Sequence, residues 1–124
     1  YLDCYNEIDL TLDTFPVTGG TTTIDALWMG VPVVALEGSN IHQRVCSSIL
    51  RHAGYAEWIG RSDVDYINIA VGLAEDRQRR IELRQSLRPT LQSSLLCDAA
   101  RFAADFATCM TNIRMEFIQT LNNV

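Results

Sequence analysis

Residues Val31-Pro32-Val33-Val34-Ala35-Leu36 form a six-residue run without a single polar side chain. A strand that faces water on one side alternates apolar with polar residues. An unbroken apolar run needs cover on both faces, the situation of a strand inside a parallel sheet. The chain before it supplies the rest of such a unit. Ile8-Asp9-Leu10-Thr11-Leu12-Asp13 alternates and reads as a short strand with a polar edge. Thr14 to Gly20 reads as a loop shaped by Pro16 and by the Gly19-Gly20 pair. Ile24 to Met29 then reads as a short helix, with caps available among Thr21, Thr22 and Thr23 and a stop at Gly30. Strand, glycine loop, helix and buried strand make a βαβ unit, for which a right-handed crossover is expected.

Downstream the apolar spacing becomes helical. A second helix is expected after Glu37-Gly38-Ser39-Asn40, capped by Ser39 or Asn40, with Val45, Ile49 and Leu50 inward and Gly54 at its end. Ser62 or Asp63 can cap a third helix through Ala74 that carries Tyr66, Ile67, Ala70, Val71 and Leu73. Another follows Asp76, with Ile81, Leu83 and Leu87 apolar and Arg80, Arg84 and Arg88 four residues apart; Pro89 is expected to break or bend it. Asp98 caps a long last helix in which Phe102, Phe106, Met110, Ile113, Phe117 and Leu121 step by three or four residues. The chain therefore reads as one α/β domain, with a βαβ-type part over residues 1–60 and a helical part over 61–124.

Charge narrows the function. Acidic residues outnumber basic ones by 15 to 10, for a formal net charge of −5, a surface that repels a nucleic-acid backbone. Every basic residue is Arg, so chemistry that needs a lysine, such as a Schiff base or a Walker-type phosphate loop, has no residue here. No stretch approaches the roughly 18–20 apolar residues that cross a bilayer, so no membrane partner is expected. Cys4, Cys46, Cys97 and Cys109 are irregularly spaced without a CxxC pair. A domain of this size needs no disulfides, and a reducing, cytoplasmic setting is expected. His42 and His52 lack the companions of a metal site, so no metal is expected. The chain opens on Tyr1, with no initiator Met and no signal-peptide pattern, directly before the first expected strand. A longer parent protein is expected.

The segment Thr18-Gly19-Gly20-Thr21-Thr22-Thr23-Ile24-Asp25 holds the chemistry. Ligands of open α/β sheets bind beyond the carboxyl ends of the strands, where loops meet helix N-termini. Two glycines allow close backbone approach. A helix start leaves about four N–H groups unpaired, and with the helix dipole these favour a phosphate or diphosphate. The hydroxyls of Thr21 and Thr22 can add donors. Asp25, one turn in, can accept two hydroxyl hydrogen bonds, which suits a ribose. A purely structural reading stands beside this one: Thr22-x-x-Asp25 also fits a capping box, and the glycines a simple turn.

Residues 9–34, from Asp9-Leu10-Thr11-Leu12-Asp13-Thr14 through Thr18-Gly19-Gly20-Thr21-Thr22 to Val33-Val34, closely resemble the catalytic region of the O-linked N-acetylglucosamine transferase (SPINDLY-like) family. Gly38, Arg44-Val45, Ser94-Leu95-Leu96-Cys97-Asp98 and Ala100-Arg101-Phe102 continue the resemblance in order. It implies a GT-B glycosyltransferase, two Rossmann-like lobes with UDP-N-acetylglucosamine held mainly by the C-terminal one, of which this chain is the distal part. Tetratricopeptide repeats often lie upstream in that family. The resemblance places diphosphate contacts on Thr21 and Thr22 and the ribose acid on Asp25, beside Gly19 and Gly20, whose part in UDP binding rests on close backbone approach. Tyr1 falls near a uracil-stacking His of some members. Gly20 stands where some members have His, so only its backbone amide can serve, and Cys4 does not match the family's basic residue for uracil. Catalytic and acceptor-side groups fall in segments outside this chain. A fragment that binds the donor without turning it over is therefore implied, with a protein acceptor engaged elsewhere and no cofactor.

Two other readings remain open at this point: a non-catalytic interaction module of the same fold, or another nucleotide-sugar enzyme such as an epimerase. Arg44 reads as one half of an ion pair, and Arg77, Arg79, Arg80, Arg84 and Arg88 as a solvated helix face. Trp28 and Trp58 read as packing residues and the two histidines as surface or helix-end residues. The Phe stripe of the last helix reads as core, or, in a piece of a two-lobed protein, as partly bare and prone to self-association.

Overall fold

The computed structural model describes residues 1–122. Three parallel strands stand in the order β1 (Thr11–Leu12), β2 (Val33–Leu36), β3 (Ile59–Gly60). Thr11 pairs with Val33 and Leu12 with Val34; on the other side Ala35 pairs with Ile59 and Leu36 with Gly60. Val33, Val34 and Ala35 point to alternate faces, yet all three are buried. The uninterrupted apolar run is thus the doubly covered centre of the sheet.

Helices α1 (Thr21–Trp28), α2 (Val45–Ala53) and α3 (Asp63–Glu75) all pack against β2, and α4 (Arg77–Gln92) packs on α1 and α3. Their buried residues, among them Leu27, Leu50, Leu73, Leu83, Leu87 and Leu91, form one core with the strands. Gly54 ends α2 in the left-handed conformation, and Ser62 caps α3 by accepting the Asp65 N–H. Gly30, between α1 and β2, has φ +79, and a Cβ there would lie 2.6 Å from the Arg84 carbonyl oxygen. Only glycine satisfies both the backbone sign and the approach of α4.

Several sequence expectations are corrected. A 3-10 turn, Leu2–Asn6, rather than a strand, follows Tyr1. The second helix is split: Asn40 caps a 3-10 turn, Ile41–Gln43, and α2 proper then buries Cys46, Ser47, Leu50 and Ala53 while Val45 faces out. Strand β3 has two residues, too short to leave an alternation, and its setting comes from Trp58, stacked on Tyr55 at 4.2 Å. Pro89 neither breaks nor ends α4, which runs on to Gln92. The Leu83-Leu87-Leu91 stripe is buried on one side and Pro89 is exposed on the other, so the carbonyl it leaves unpaired is open to water. Ile67 and Val71 of α3 are exposed.

The last helix, α5 (Ala99–Asn122), begins at Asp98, whose carboxylate accepts the Arg101 N–H. It is not core: Phe102, Phe106, Met110, Ile113, Phe117 and Leu121 are all exposed. Beyond the turn Leu95–Cys97 the helix leaves the body, where β2 already has cover on both faces. No helix among the described residues is long and apolar enough to cross a membrane.

Of the five arginines of α4, Arg77 and Arg79 lie on a solvated face, Arg79 pairing with Glu82 at 3.8 Å, whereas Arg80, Arg84 and Arg88 do not. Arg80 donates to the Leu73 and Ala74 carbonyls at the end of α3. Arg88 donates to the Trp28 carbonyl at 2.7 Å and stacks over the Trp28 ring. Arg84 donates to three carbonyls, of Tyr5, Ile8 and Met29, and so ties the N-terminal turn and the end of α1 to α4. A guanidinium is suited to this, since its fork of donors can satisfy carbonyls from three segments together. Replacing Arg84 by Met should lower unfolding stability by about 2–3 kcal/mol, from the loss of charge-assisted bonds to partly buried carbonyls. Arg77→Met, whose side chain has no such partner among the described residues, should stay within about 0.5 kcal/mol in the same urea titration.

Candidate functional site at the carboxyl edge of the sheet

All three strands run the same way, so Leu12, Leu36 and Gly60 end at one edge. Beyond that edge lie the 13–20 loop, Glu37-Gly38 and the start of α3. Thr18 anchors the loop: its N–H and hydroxyl both donate to the His42 carbonyl, at 3.2 and 3.0 Å, and its Oγ1 accepts the Cys46 N–H. Tyr66 from α3 reaches over and donates to the Asp13 carbonyl at 3.1 Å.

Helix α1 then starts without a side-chain cap. Its N-cap is Gly20, so Thr21, Thr22 and Thr23 lie inside the first turn, and the capping box expected between Thr22 and Asp25 does not form. The Thr23 and Ile24 amides bond back to the Gly20 carbonyl. The amides of Gly20, Thr21 and Thr22 have no acceptor among the described residues. Thr21 and Thr22 are exposed and Gly20 half-buried, so this end of the helix is open. The Gly19 amide differs, since it donates to Asp13 Oδ1 at 2.7 Å. A Cβ on Gly19 would lie 2.8 Å from Thr22 Oγ1 and 2.9 Å from Thr23 Oγ1, so this glycine serves packing.

Asp25 is half-buried one turn in, and its Oδ2 accepts the hydroxyl of Tyr1 at 3.3 Å. Tyr1 is 75% exposed and meets the buried Tyr5 edge to face. The hydrogen bond to Tyr5, aided by the Asp25 charge, pushes the Tyr1 phenol up to about 12. Tyr5 in turn donates to the Thr22 carbonyl at 3.4 Å. The structure thus gathers Tyr1, Gly19, Gly20, Thr21, Thr22 and Asp25 at one mouth, beside a cavity of about 200 Å³ lined by Tyr5, Asp13, Gly19, Thr22 and Thr23. Sequence reasoning did not single out Asp13, Tyr5 or Tyr66. An acid closing β1 six residues before a glycine pair was the one available signal.

A larger depression of about 580 Å³ lies along α2, among Ile41, Arg44, Ser48, Arg51 and His52. Its cations are not free for an anion. Glu37 holds Arg51 through two bonds of 2.6 and 2.7 Å, Arg44 at 3.6 Å, and the Ser47 hydroxyl at 2.9 Å. Arg44 is therefore the ion-pair partner its sequence context suggested. Trp58 is buried, and His52 lies exposed in the last turn of α2. The four cysteines are unpaired, and no group of three or more His, Cys, Asp or Glu able to hold a metal occurs among the described residues.

Parallel strands with a doubly buried centre, and an uncapped helix start beyond the first strand, define part of a Rossmann-like α/β lobe. Residues 6–106 match Glycosyl transferase family 41, and the chain belongs to that family. It is 39% identical over 102 residues to a probable UDP-N-acetylglucosamine--peptide N-acetylglucosaminyltransferase SPINDLY of Petunia hybrida, covering 82% of this chain and 11% of that protein. A UDP-N-acetylglucosamine--peptide N-acetylglucosaminyltransferase of Caenorhabditis elegans is 32% identical over 97 residues, 78% of this chain and 8% of its own length. Among solved structures, a mutant O-GlcNAc transferase of Thermobaculum terrenum superposes with a TM-score of 0.87 at 43% identity, over 96% of this chain and 23% of that one. The chain thus spans only a small part of the relatives it matches.

The Glu37 cluster makes a pH prediction. The Arg51 guanidinium holds the Glu37 carboxyl down at about 2, against an ordinary 4.5. An acid with a lowered folded value stabilises the fold above its unfolded value and loses that contribution as pH falls. Stability should therefore drop between about pH 4.5 and 2. Because Arg51 is partly exposed, the contribution is of order 1–2 kcal/mol, and Glu37→Gln should remove both it and this part of the acid slope in urea titrations.

Proposed function

We propose that this chain is the donor-nucleotide-binding part of a glycosyltransferase that moves N-acetylglucosamine from UDP-N-acetylglucosamine to Ser or Thr hydroxyls of proteins. The observation behind this is the open N-terminus of α1, with the Gly20, Thr21 and Thr22 amides unpaired and Asp25 one turn behind them. Aligned amides and the helix dipole form a site for a diphosphate, with the Thr21 and Thr22 hydroxyls beside it. Asp25 would accept the ribose hydroxyls through Oδ1, or through Oδ2 once the Tyr1 hydroxyl turns away. The exposed Tyr1 ring would lie against the base. The family and the names of its relatives support the same donor.

In this reading the acceptor hydroxyl attacks the anomeric carbon, the bond to the diphosphate oxygen breaks, and negative charge collects on the departing UDP. Amides fixed before the reaction stabilise that charge without reorganising, the general form of electrostatic catalysis. No metal or other cofactor is invoked. Residues 1–60 hold the donor, α4 braces them through Arg84 and Arg88, and the other lobe of a GT-B enzyme engages the acceptor protein and takes the proton of its hydroxyl. By itself the chain binds the donor and does not turn it over, in a cytoplasmic setting. A second reading concerns the sugar. A UDP-glucose:protein N-beta-glucosyltransferase of Actinobacillus pleuropneumoniae is 31% identical over 86 residues, and none of the residues at this mouth selects an acetamido group.

Titration of UDP into the protein tests the site. Asp25→Ala and Thr22→Val should each weaken binding about tenfold or more, which corresponds to roughly 1.4 kcal/mol. UMP, lacking the second phosphate, should bind more weakly than UDP. Absence of UDP binding, or equal binding of UMP and UDP, would favour the non-catalytic module. Competition between UDP-N-acetylglucosamine and UDP-glucose decides the sugar.

A further inference from the structure

Asp13 is the polar side chain at this edge to which the reading above gives no task. It stands directly after β1, and its Oδ1 takes the Gly19 N–H at 2.7 Å. Its Oδ2 is buried without a hydrogen-bond partner, and so is Thr23 Oγ1. The point a Gly19 Cβ would occupy lies 3.0 Å from Asp13 Oδ1 and 2.9 Å from Thr23 Oγ1, so these oxygens converge behind the open amides. No cation pairs with Asp13 among the described residues. The titratable groups facing it are the Cys46 thiol of α2 and the Tyr66 phenol of α3, both pushed up by burial, and the Tyr5 phenol across the cavity. None supplies a compensating charge.

Burial also raises the Asp13 carboxyl above its ordinary range. What eases its charge is the Gly19 N–H first, then the Cys46 thiol and the Thr14 N–H, together with the positive end of α1. A diphosphate on the Gly20, Thr21 and Thr22 amides would take over that end and set a second anion beside the first. Like charges sharing a site favour protonation of the weaker acid. We propose that Asp13 is the positioning residue of the donor site: it fixes the Gly19 amide so that the next three amides face outward, and it accepts a proton from solvent, on Oδ2, when a nucleotide diphosphate binds. This rests on the diphosphate reading of the site.

Calorimetric titration with UDP-N-acetylglucosamine tests it, because the phosphates of that donor are diesters and do not titrate near neutrality. Paired buffers of different ionisation enthalpy report the protons taken up per donor bound. The native protein should take up protons and bind more tightly as pH falls from 7.5 to 5.5, by up to about tenfold per unit. Asp13→Asn keeps an acceptor for Gly19 but carries no charge. It should bind at least as tightly as the native protein at pH 7.5, with the uptake gone and the pH profile flat. Asp13→Ala releases the Gly19 amide and should bind about tenfold or more weakly at every pH. Thermal melts check folding, and Asp13→Asn decides the matter if the alanine variant does not fold. Binding by the native protein with the same proton uptake in Asp13→Asn would overturn this proposal alone. No donor binding by the native protein would remove the diphosphate reading and this proposal together.

Discussion

Burial of β2 on both faces is the constraint from which the rest of the molecule follows. A central strand without a polar residue must be covered by helices above and below, and a parallel neighbour can be reached only by crossing over through one. That requirement sets α1 between β1 and β2 and turns the carboxyl ends of all three strands to one edge. The loop connecting β1 to α1 then has to open α1 at the same edge. The candidate site is thus a consequence of strand direction, and its residues are those the crossover delivers there.

Two charge systems divide that edge between structure and binding. Glu37 gathers Arg44, Arg51 and Ser47 into a closed, self-satisfied cluster at the end of β2. The end of β1 is left incomplete by contrast: amides without acceptors in front, and two buried oxygens without donors behind. Native interiors seldom leave polar groups unpaired, and where they do a ligand commonly completes the set. The difference between the two strand ends is what distinguishes a structural ion cluster from a site.

The arginines of α4 show how a helical part can support a binding part without touching a ligand. Arg84 and Arg88 bond to carbonyls at the end of α1 and in the N-terminal turn, the segments that carry Asp25 and Tyr1. In sequence these side chains look like an ordinary solvated face, because i, i+4 spacing reports which residues share a side of a helix but not what lies opposite. The same blindness applies to α5. Its apolar stripe has the period of a core helix, and periodicity does not say whether the partner surface is in this chain.

The local chemistry was legible from sequence: the doubly buried strand, the glycine-threonine helix start, the Ser62 and Asp98 caps and the Gly54 stop. Each depends on a few adjacent residues whose backbone preferences need no distant partner. Tertiary structure alone decided that Gly20 rather than a threonine opens α1, that Asp13 holds the Gly19 amide, that Pro89 is carried through by a buried leucine stripe, and that α5 stands free of the core. Those outcomes turn on contacts between residues far apart in the chain. There the energy of packing and of satisfying buried polar groups exceeds any local preference, and only the folded arrangement says which groups meet.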